Sequence, residues 1–275
     1  MDKLRFGTAG IPISCPGDTL AGVKFVKELG LECMELEFVR QVNISEDKAP
    51  EIKKMASEKG VQLSCHAPYF INLNSEENIK IEASKKRIFN AARIAYLCGA
   101  SSVVVHAGFY MKSDPEKTYQ MIKQGFQEVL GWMREEGIDI CLRVETMGKT
   151  SQWGSLTEVL RLSSEVKGVL PCIDFCHLFA RNLGKVNNYI RFCRWLEEYE
   201  KVLGRRGLDN MHIHMSGVEY GSVGEKWHLT LNESELKWQE VLKALKQFDC
   251  KGVVISESPN IEKDAVMMKK YYSEL

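Results

Sequence analysis

The chain has 275 residues, and 44% of them are hydrophobic, which is enough to build a sizeable core. Lys and Arg together number 37, as do Asp and Glu, so the formal net charge is zero. This balance excludes nucleic-acid binding through an overall positive charge, although bound cations could offset a local cluster of acidic ligands.

Short apolar runs alternate with longer amphipathic segments along the whole chain. We predict strands at residues 4–7, 32–38, 61–66, 102–106, 138–145, 169–174, 211–215 and 252–256. We predict helices at residues 19–29, 47–59, 76–98, 114–136, 155–166, 186–203, 233–248 and 261–272. Strands that alternate with helices pair in parallel, so this order predicts a single α/β domain, a (β/α)8 TIM barrel over residues 1–275. An open doubly wound sheet is the alternative, but no Gly-x-Gly-x-x-Gly motif follows the first strand.

The cysteines indicate a reducing environment. There are nine, an odd number, and no Cys-x-x-Cys pair occurs. Several lie in apolar, strand-like runs and behave as small buried hydrophobic residues, which does not resemble a disulfide framework. Neither a signal-peptide apolar region nor a run long enough to span a membrane is found. We therefore expect a cytoplasmic protein that makes no contact with a membrane.

Metal-binding residue types concentrate at the predicted strand ends. The histidines are His66, His106, His177, His212, His214 and, in the loop after the seventh strand, His228. Three acidic residues, Glu145, Asp174 and Glu257, end strands five, six and eight. The carboxyl ends of barrel strands meet at one face, where buried charges are costly unless they are paired or metal-bound. This pattern predicts a metal centre.

The number of candidate ligands predicts two or three ions, because a zinc site uses three or four protein ligands. Paired ions about 3.5–4 Å apart are typical of phosphodiester hydrolysis, where they activate water and stabilise the attacking and leaving oxygens. A carboxylate such as Glu145 can bridge two ions. The histidine-rich set favours Zn²⁺, with Mn²⁺ or Fe²⁺ as alternatives, over Mg²⁺.

Two motifs resemble those of the endonuclease IV family of apurinic/apyrimidinic endonucleases. The sequence His66-Ala67-Pro68-Tyr69-Phe70-Ile71-Asn72-Leu73 resembles the family signature His-[Gly/Ala]-x-Tyr-x-Ile-Asn-Leu. The sequence Cys172-Ile173-Asp174-Phe175-Cys176-His177-Leu178-Phe179-Ala180 resembles Cys-Ile-Asp-Thr-Cys-His-x-Phe-Ala. The resemblance extends over the whole chain. It implies a xylose-isomerase-like barrel with three zinc ions that cleaves damaged double-stranded DNA 5′ to abasic sites, and we expect it to act as a monomer.

The resemblance also implies roles for individual residues. The first ion would be held by His66, His106 and Glu145, the second by Glu145, Asp174, His212 and Glu257, and the third by His177 and His228. Glu145 or Glu257 would orient the attacking water. Tyr69 would insert near the abasic nucleotide, or else pack at the rim. Arg40 would lie where the DNA-penetrating loop begins, or else be a solvated charge.

Two departures from the family pattern concern the third ion and the first strand. Lys226 stands two residues before His228, where the family has an Asp, and Glu225 is adjacent. Lys226 would either leave the third site weak or replace its cation near the scissile phosphate. The first strand lacks the family's usual His, and His214, outside the usual ligand set, could compensate or be an inward core residue.

Two other functions fit parts of the same pattern. A sugar isomerase or epimerase holds one divalent ion, and Glu145, Asp174, His212 and Glu257 would suffice for it. A barrel that binds metal or nucleic acid without catalysis would tolerate the Lys226 substitution. The additional histidines favour the phosphodiesterase, because a one-metal isomerase does not need them.

Overall fold

The computed structural model describes residues 2–275, and this part of the chain contains ten strands and nine helices. The strands are Leu4–Ala9 (β1), Cys33–Glu37 (β2), Gln62–His66 (β3), Ser102–Val105 (β4), Cys141–Glu145 (β5), Val169–Asp174 (β6), Met211–Met215 (β7), Gly217–Gly221 (β8), Gly224–Leu229 (β9) and Gly252–Ser256 (β10). The helices are Thr19–Glu28 (α1), Ala49–Lys59 (α2), Asn78–Leu97 (α3), Pro115–Glu135 (α4), Leu156–Glu165 (α5), Phe175–Arg181 (α6), Tyr189–Leu208 (α7), Trp238–Gln247 (α8) and Glu262–Glu274 (α9).

Eight parallel strands close into a barrel in the order β1-β10-β7-β6-β5-β4-β3-β2. Each barrel strand pairs with its neighbours in chain order, and β1 pairs with β10 to close the ring. This arrangement confirms the predicted (β/α)8 barrel. The interior strands are buried along their length, as in β4, where every residue from Ser102 to Val105 is buried. Burial on both faces explains why these strands appear as continuous apolar runs in the sequence.

Local capping explains several helix boundaries. The Asp114 carboxylate accepts the amides of Glu116 and Lys117 at the start of α4, where Pro115 occupies the first helical turn. Ser155 and Glu158 form a reciprocal capping box at the start of α5. Gly60 ends α2 with a φ of 62°, a left-handed conformation that glycine adopts at little cost.

Two features differ from the sequence prediction. The helix predicted at residues 186–203 overlaps α7, which begins at Tyr189 and ends at Leu208, and a separate short helix, α6, begins directly after β6. An antiparallel hairpin, β8–β9, occupies the region after β7 that we predicted to be a loop, so His228 lies in a strand. The hairpin is missed because its strands are short, glycine-rich and largely polar, without a clear alternation of apolar residues.

None of the helices in residues 2–275 has both the length and the apolar character needed to cross a bilayer. All nine cysteines are free in this same part of the chain.

Candidate metal centre

A cavity of about 460 Å³ opens at the carboxyl ends of the barrel strands, where the predicted ligands meet. It is lined by Tyr69, His106, Phe109, Met147, Lys149, Gln152, His177, Glu225, His228 and Glu257. This is the face on which TIM-barrel enzymes carry their active sites. The loop after β5 and the β8–β9 hairpin form part of its wall.

Glu145, at the end of β5, is fully buried at the centre of the cluster. Its Oε2 lies 2.9 Å from His106 Nε2 and 3.3 Å from His66 Nε2. Its Oε1 lies 3.1 Å from His177 Nδ1 and 3.4 Å from His214 Nδ1. Each carboxylate oxygen of Glu145 therefore faces two imidazoles.

Three carboxylates converge on one side of this cluster. One ligand-type atom from each of Glu145, Asp174, His214 and Glu257 lies within 4.8 Å of the others. Among the hydrogen bonds formed within residues 2–275, none involves the buried Asp174 Oδ2. Buried carboxylates that lack such partners are costly unless a cation is bound.

The pKa values of Glu145 and Glu257 are shifted in opposite directions. Burial alone would raise the pKa of Glu145, but the imidazoles of His106 and His214 outweigh burial and hold that pKa well below its usual value. Burial raises the pKa of Glu257 to about 8, and the Glu145 and Asp174 carboxylates act in the same direction. The metal-free protein therefore keeps Glu145 ionised and favours a protonated Glu257, because like charges at this distance cannot all persist.

Backbone carbonyl groups fix the tautomers of three histidines. Nδ1 of His66 lies 2.7 Å from the Ala67 oxygen, that of His177 lies 2.9 Å from the Thr146 oxygen, and that of His228 lies 3.1 Å from the Glu257 oxygen. Since a carbonyl oxygen can only accept, each Nδ1 carries the proton. Nε2 is thus the nitrogen that each ring presents to the cluster and could bind a metal, in the manner of histidine ligands held by outer hydrogen bonds.

A third group of ligands forms between α6 and the hairpin. His177 Nε2 lies 3.4 Å from Glu225 Oε2, and His228 Nε2 lies 3.8 Å from Glu225 Oε1. The register of the hairpin shifts between Glu219 and Tyr220, so that Lys226 is an extra residue opposite this step. The bulge places Glu225 and His228 on the same side, although an uninterrupted strand would place them on opposite faces.

Lys226 points away from the cavity. Its Nζ lies 3.5 Å from Glu219 and 5.6 Å from the centre of the Trp227 ring, and its side chain is 45% exposed. Both accounts of Lys226 drawn from the sequence, a weakened third site and a replaced cation, required it to face the ligands. The structure instead places Glu225 beside His177 and His228, and Lys226 is not among the residues that line the cavity.

We expect Glu225→Gln to weaken the binding of one ion by at least about 10-fold, because an amide lacks the charge of the carboxylate that joins His177 and His228. Lys226→Asp is the matched control, one residue away and also a change of charge, and it should leave metal affinity unchanged. Titration with zinc against a chromogenic chelator measures both. Equal affinities for Glu225→Gln and the wild type would remove Glu225 from the site.

The structure separates the two histidines of β7. Asp174 pairs in register with His214, whereas His212 pairs with Cys172, two residues deeper in the barrel. His212 contacts Glu35 and Ser102, and the structure does not bring it to Glu145, Asp174 or Glu257. His214, which lies 3.3 Å from Glu257 Oε1, occupies the position predicted for His212.

The two predicted DNA-binding residues have different surroundings. Tyr69 lines the cavity, is 44% exposed, and stacks on His106 with ring centres 5.4 Å apart. Arg40 is exposed in the loop after β2 and does not line the cavity. Their loops are linked, since the Tyr69 amide donates to the carbonyl of Val39.

Sequence reasoning missed several residues of the site. Glu35 in β2 contacts His212 and His214 from inside the barrel. Phe109, Met147 and Gln152 line the cavity from loops that carry no motif we could interpret. Glu35 had a detectable signal, because it is an acidic residue within an apolar strand, two positions before Glu37.

The residues present fit divalent transition ions. The donor set combines neutral imidazole nitrogens with carboxylates, which suits Zn²⁺, Mn²⁺ or Fe²⁺. Three of the histidines have Nδ1 bonded to the backbone, so that Nε2 faces the carboxylates of the cluster. Asp174 Oδ2, which lies 3.2 Å from His177 Nδ1 but makes no hydrogen bond within residues 2–275, also fits a bound cation.

Comparisons with known proteins agree with this fold. The chain is 46% identical over 272 residues to the uncharacterized protein MJ0133 of Methanocaldococcus jannaschii, which covers 99% of this chain and 98% of that protein. It is 30% identical over 176 residues to a protein named "Probable endonuclease 4" from Geobacillus sp. strain WCH70. That match covers 60% of this chain and 55% of the relative, so the chain aligns with about half of the relative's length.

Solved structures share the barrel at low sequence identity. Endonuclease IV from Thermus thermophilus superposes with a TM-score of 0.77 at 19% identity, covering 98% of this chain and 100% of that one. A D-tagatose 3-epimerase-like protein superposes with a TM-score of 0.74 at 19% identity, covering 98% and 96%. A family profile described as "Xylose isomerase-like TIM barrel" matches residues 23–271. The chain therefore belongs to the xylose isomerase-like TIM-barrel family.

Proposed function

We propose that this protein is a metal-dependent phosphodiesterase that cleaves DNA 5′ to apurinic/apyrimidinic sites, leaving a 3′-hydroxyl and a 5′-deoxyribose phosphate. The observation that carries the proposal is the third ligand group, which consists of Glu225, His177 and His228. It lies beside the two groups of candidate ligands that include Glu145. A one-metal enzyme has no use for these ligands. Relatives named endonuclease 4 and the motifs around Tyr69 and Asp174 support the same conclusion.

The ligands fall into three groups, and Glu145 belongs to the first two. His66, His106 and Glu145 would hold one zinc ion, Glu145, Asp174, His214 and Glu257 a second, and His177, His228 and Glu225 a third. Bound divalent ions supply positive charge for a scissile phosphate and lower the pKa of water. His212 would support this assembly from below without serving as a ligand.

Side chains at the cavity supply the remaining functions. Glu257 lines the cavity, whereas Glu145 is fully buried, so Glu257 is better placed to orient an attacking water. Lys149 and Gln152 lie on the cavity wall beside Phe109 and can contact the phosphate backbone. The exposed part of Tyr69 is free to stack against an unpaired nucleotide or the abasic sugar.

A sugar epimerase is the second candidate. Glu145, Asp174, His214 and Glu257 suffice for one divalent ion, and the barrel resembles a D-tagatose 3-epimerase-like protein. Under this reading the third ligand group would be unoccupied when the protein is loaded with metal.

Two measurements on the purified protein separate these candidates. We expect at least two transition-metal ions per chain by elemental analysis after dialysis, and nicking of a duplex oligonucleotide that carries one synthetic abasic site. The same duplex with an intact base is the control. One ion or fewer, together with turnover of ketoses and no nicking, would establish the epimerase instead.

We expect Tyr69→Ala to weaken binding to abasic duplex more than binding to undamaged duplex, because stacking acts only where a nucleotide is displaced. Stacking of an aromatic side chain on a base contributes about 1–3 kcal/mol, so the abasic complex should weaken roughly 5- to 100-fold. Fluorescence anisotropy with both duplexes measures the difference. Tyr96→Ala, at an exposed tyrosine on α3, is the control, and equal losses on both duplexes for Tyr69→Ala would make Tyr69 a packing residue.

A further inference from the structure

A buried carboxylate lies inside the barrel beneath the metal centre. Glu35, in the middle of β2, is fully buried. One of its oxygens, Oε1, lies 2.8 Å from His214 Nε2. The other, Oε2, lies 2.7 Å from Ser64 Oγ and 3.0 Å from His212 Nε2. An unpartnered charge in the interior would be strongly destabilising, so these three polar partners stabilise the buried Glu35 carboxylate.

The contact with His214 determines which of its nitrogens carries a proton. An ionised carboxylate can only accept, so Nε2 of His214 donates to Glu35, and Nδ1 is the nitrogen left to bind an ion. That Nδ1 faces the ligands, 3.4 Å from Glu145 Oε1 and 3.3 Å from Glu257 Oε1. The same bond fixes the rotation of the ring.

His214 differs in this respect from three other histidines of the centre. His66, His177 and His228 donate from Nδ1 to backbone carbonyls and present Nε2. His214 presents the opposite nitrogen and depends on a side chain for its orientation. A mutation can therefore remove the outer bond of His214 without disturbing the backbone.

The deeper residues hold Glu35 in place. His212 lies two residues below His214 on the same strand, a separation of roughly 6.6 Å along it. His212 and Ser64 both contact Oε2 of Glu35, which leaves Oε1 for His214. His212 also lies 3.3 Å from Ser102 Oγ. Ser64 and His212 therefore fix the Glu35 carboxylate through one oxygen, and its other oxygen contacts His214.

We propose that Glu35 is a positioning residue for the metal centre, which orients His214 and presents its Nδ1 to the ion shared with Glu145, Asp174 and Glu257. The inference rests on the metal centre of the proposed function but not on the choice of substrate. Outer carboxylates that bond to ligand histidines contribute about 10- to 100-fold to metal affinity in other proteins.

The test combines Glu35→Gln with a matched control, Glu37→Gln. Glu37 is the other acid of β2, and one of its ligand-type atoms lies within 4.8 Å of Glu35 and of Glu257. Its substitution therefore changes a neighbouring acid of the same strand without removing the bond to His214. Long-range ¹H–¹⁵N NMR correlations of the zinc-loaded protein report which ring nitrogen of His214 carries a proton and which binds the ion, with His214→Gln providing the assignment. Competition with a chelator reports zinc affinity.

We expect the wild type and Glu37→Gln to show His214 protonated at Nε2. We expect Glu35→Gln to show a mixture of tautomers and a zinc affinity lower by about 10- to 100-fold. An unchanged His214 tautomer and an unchanged zinc affinity in Glu35→Gln would overturn the proposal. Loss of one complete ion, with the other ions unaffected, would also overturn it, because Glu35 would then be a ligand.

The proposal can still be tested if the Glu35→Gln variant does not fold or if the wild type does not nick DNA. If Glu35→Gln does not fold, a wild-type spectrum with the proton on His214 Nδ1 overturns the proposal, and one with the proton on Nε2 supports it. Absence of nicking by the wild type would contradict the DNA substrate and leave this inference standing, so the two failures are distinguishable.

Discussion

Replacing Glu145 by glutamine is expected to abolish cleavage of an abasic duplex, with a loss of at least about 100-fold in rate. Glu145 is the residue on which the centre converges, because its two oxygens contact His66 and His106 on one side and His177 and His214 on the other. A glutamine of the same shape has one weaker acceptor and no charge, so it cannot serve two cations. We expect metal content to fall together with activity.

The nicking assay for Glu145→Gln requires a matched control and a test of folding. Glu219→Gln is the control, because Glu219 is an exposed acid on the outer side of the hairpin that pairs with Lys226. Circular dichroism should show an intact barrel for both variants. Wild-type rates in a folded Glu145→Gln protein would exclude Glu145 from the reaction.

Removal of bound metal is expected to lower the thermal stability of the protein substantially. The carboxyl groups of Glu145, Asp174 and Glu257 converge within the buried cluster, and without cations the cost of burying them opposes folding. Binding to the native state alone adds about 4 kcal/mol when the free ion is at 1,000 times its dissociation constant. For a protein of this size this corresponds to a fall of roughly 10 °C in the melting temperature.

Differential scanning calorimetry before and after chelation, with zinc added back, measures this effect. Because the stabilisation comes from linkage, it should grow with the concentration of free zinc. Glu145→Gln should show a smaller dependence on zinc than the wild type. A melting temperature that does not change with chelation or zinc would indicate that the cluster binds no ion in the folded protein.

The order of the barrel was predictable from the sequence because its signals are local. Buried parallel strands must be apolar along their length, and helix ends such as Pro115 and Gly60 follow from backbone sterics. The position of the ligand cluster was predictable for a related reason. Parallel strands bring all their carboxyl ends to one face, so residues such as His66 and Glu145 meet without further information.

The choice between His212 and His214 was decided only by the tertiary structure. Residues two apart on a strand point to the same side, so alternation places both histidines inside the barrel. Which one reaches Glu145 depends on the stagger of β7 against β5 and β6, a property of the closed barrel. The role of Glu35 depends on the same stagger, since its partners come from β3 and β7.

The third ligand group was likewise decided by tertiary structure. A regular strand would have placed Glu225 and His228 on opposite faces, and the bulge at Lys226 reverses this. Bulges depend on pairing with the partner strand, here β8, which had no recognisable pattern of its own. Residue types and strand ends therefore predicted where metal-ligand side chains cluster, whereas strand stagger and one irregular pairing decided which side chains belong to the cluster.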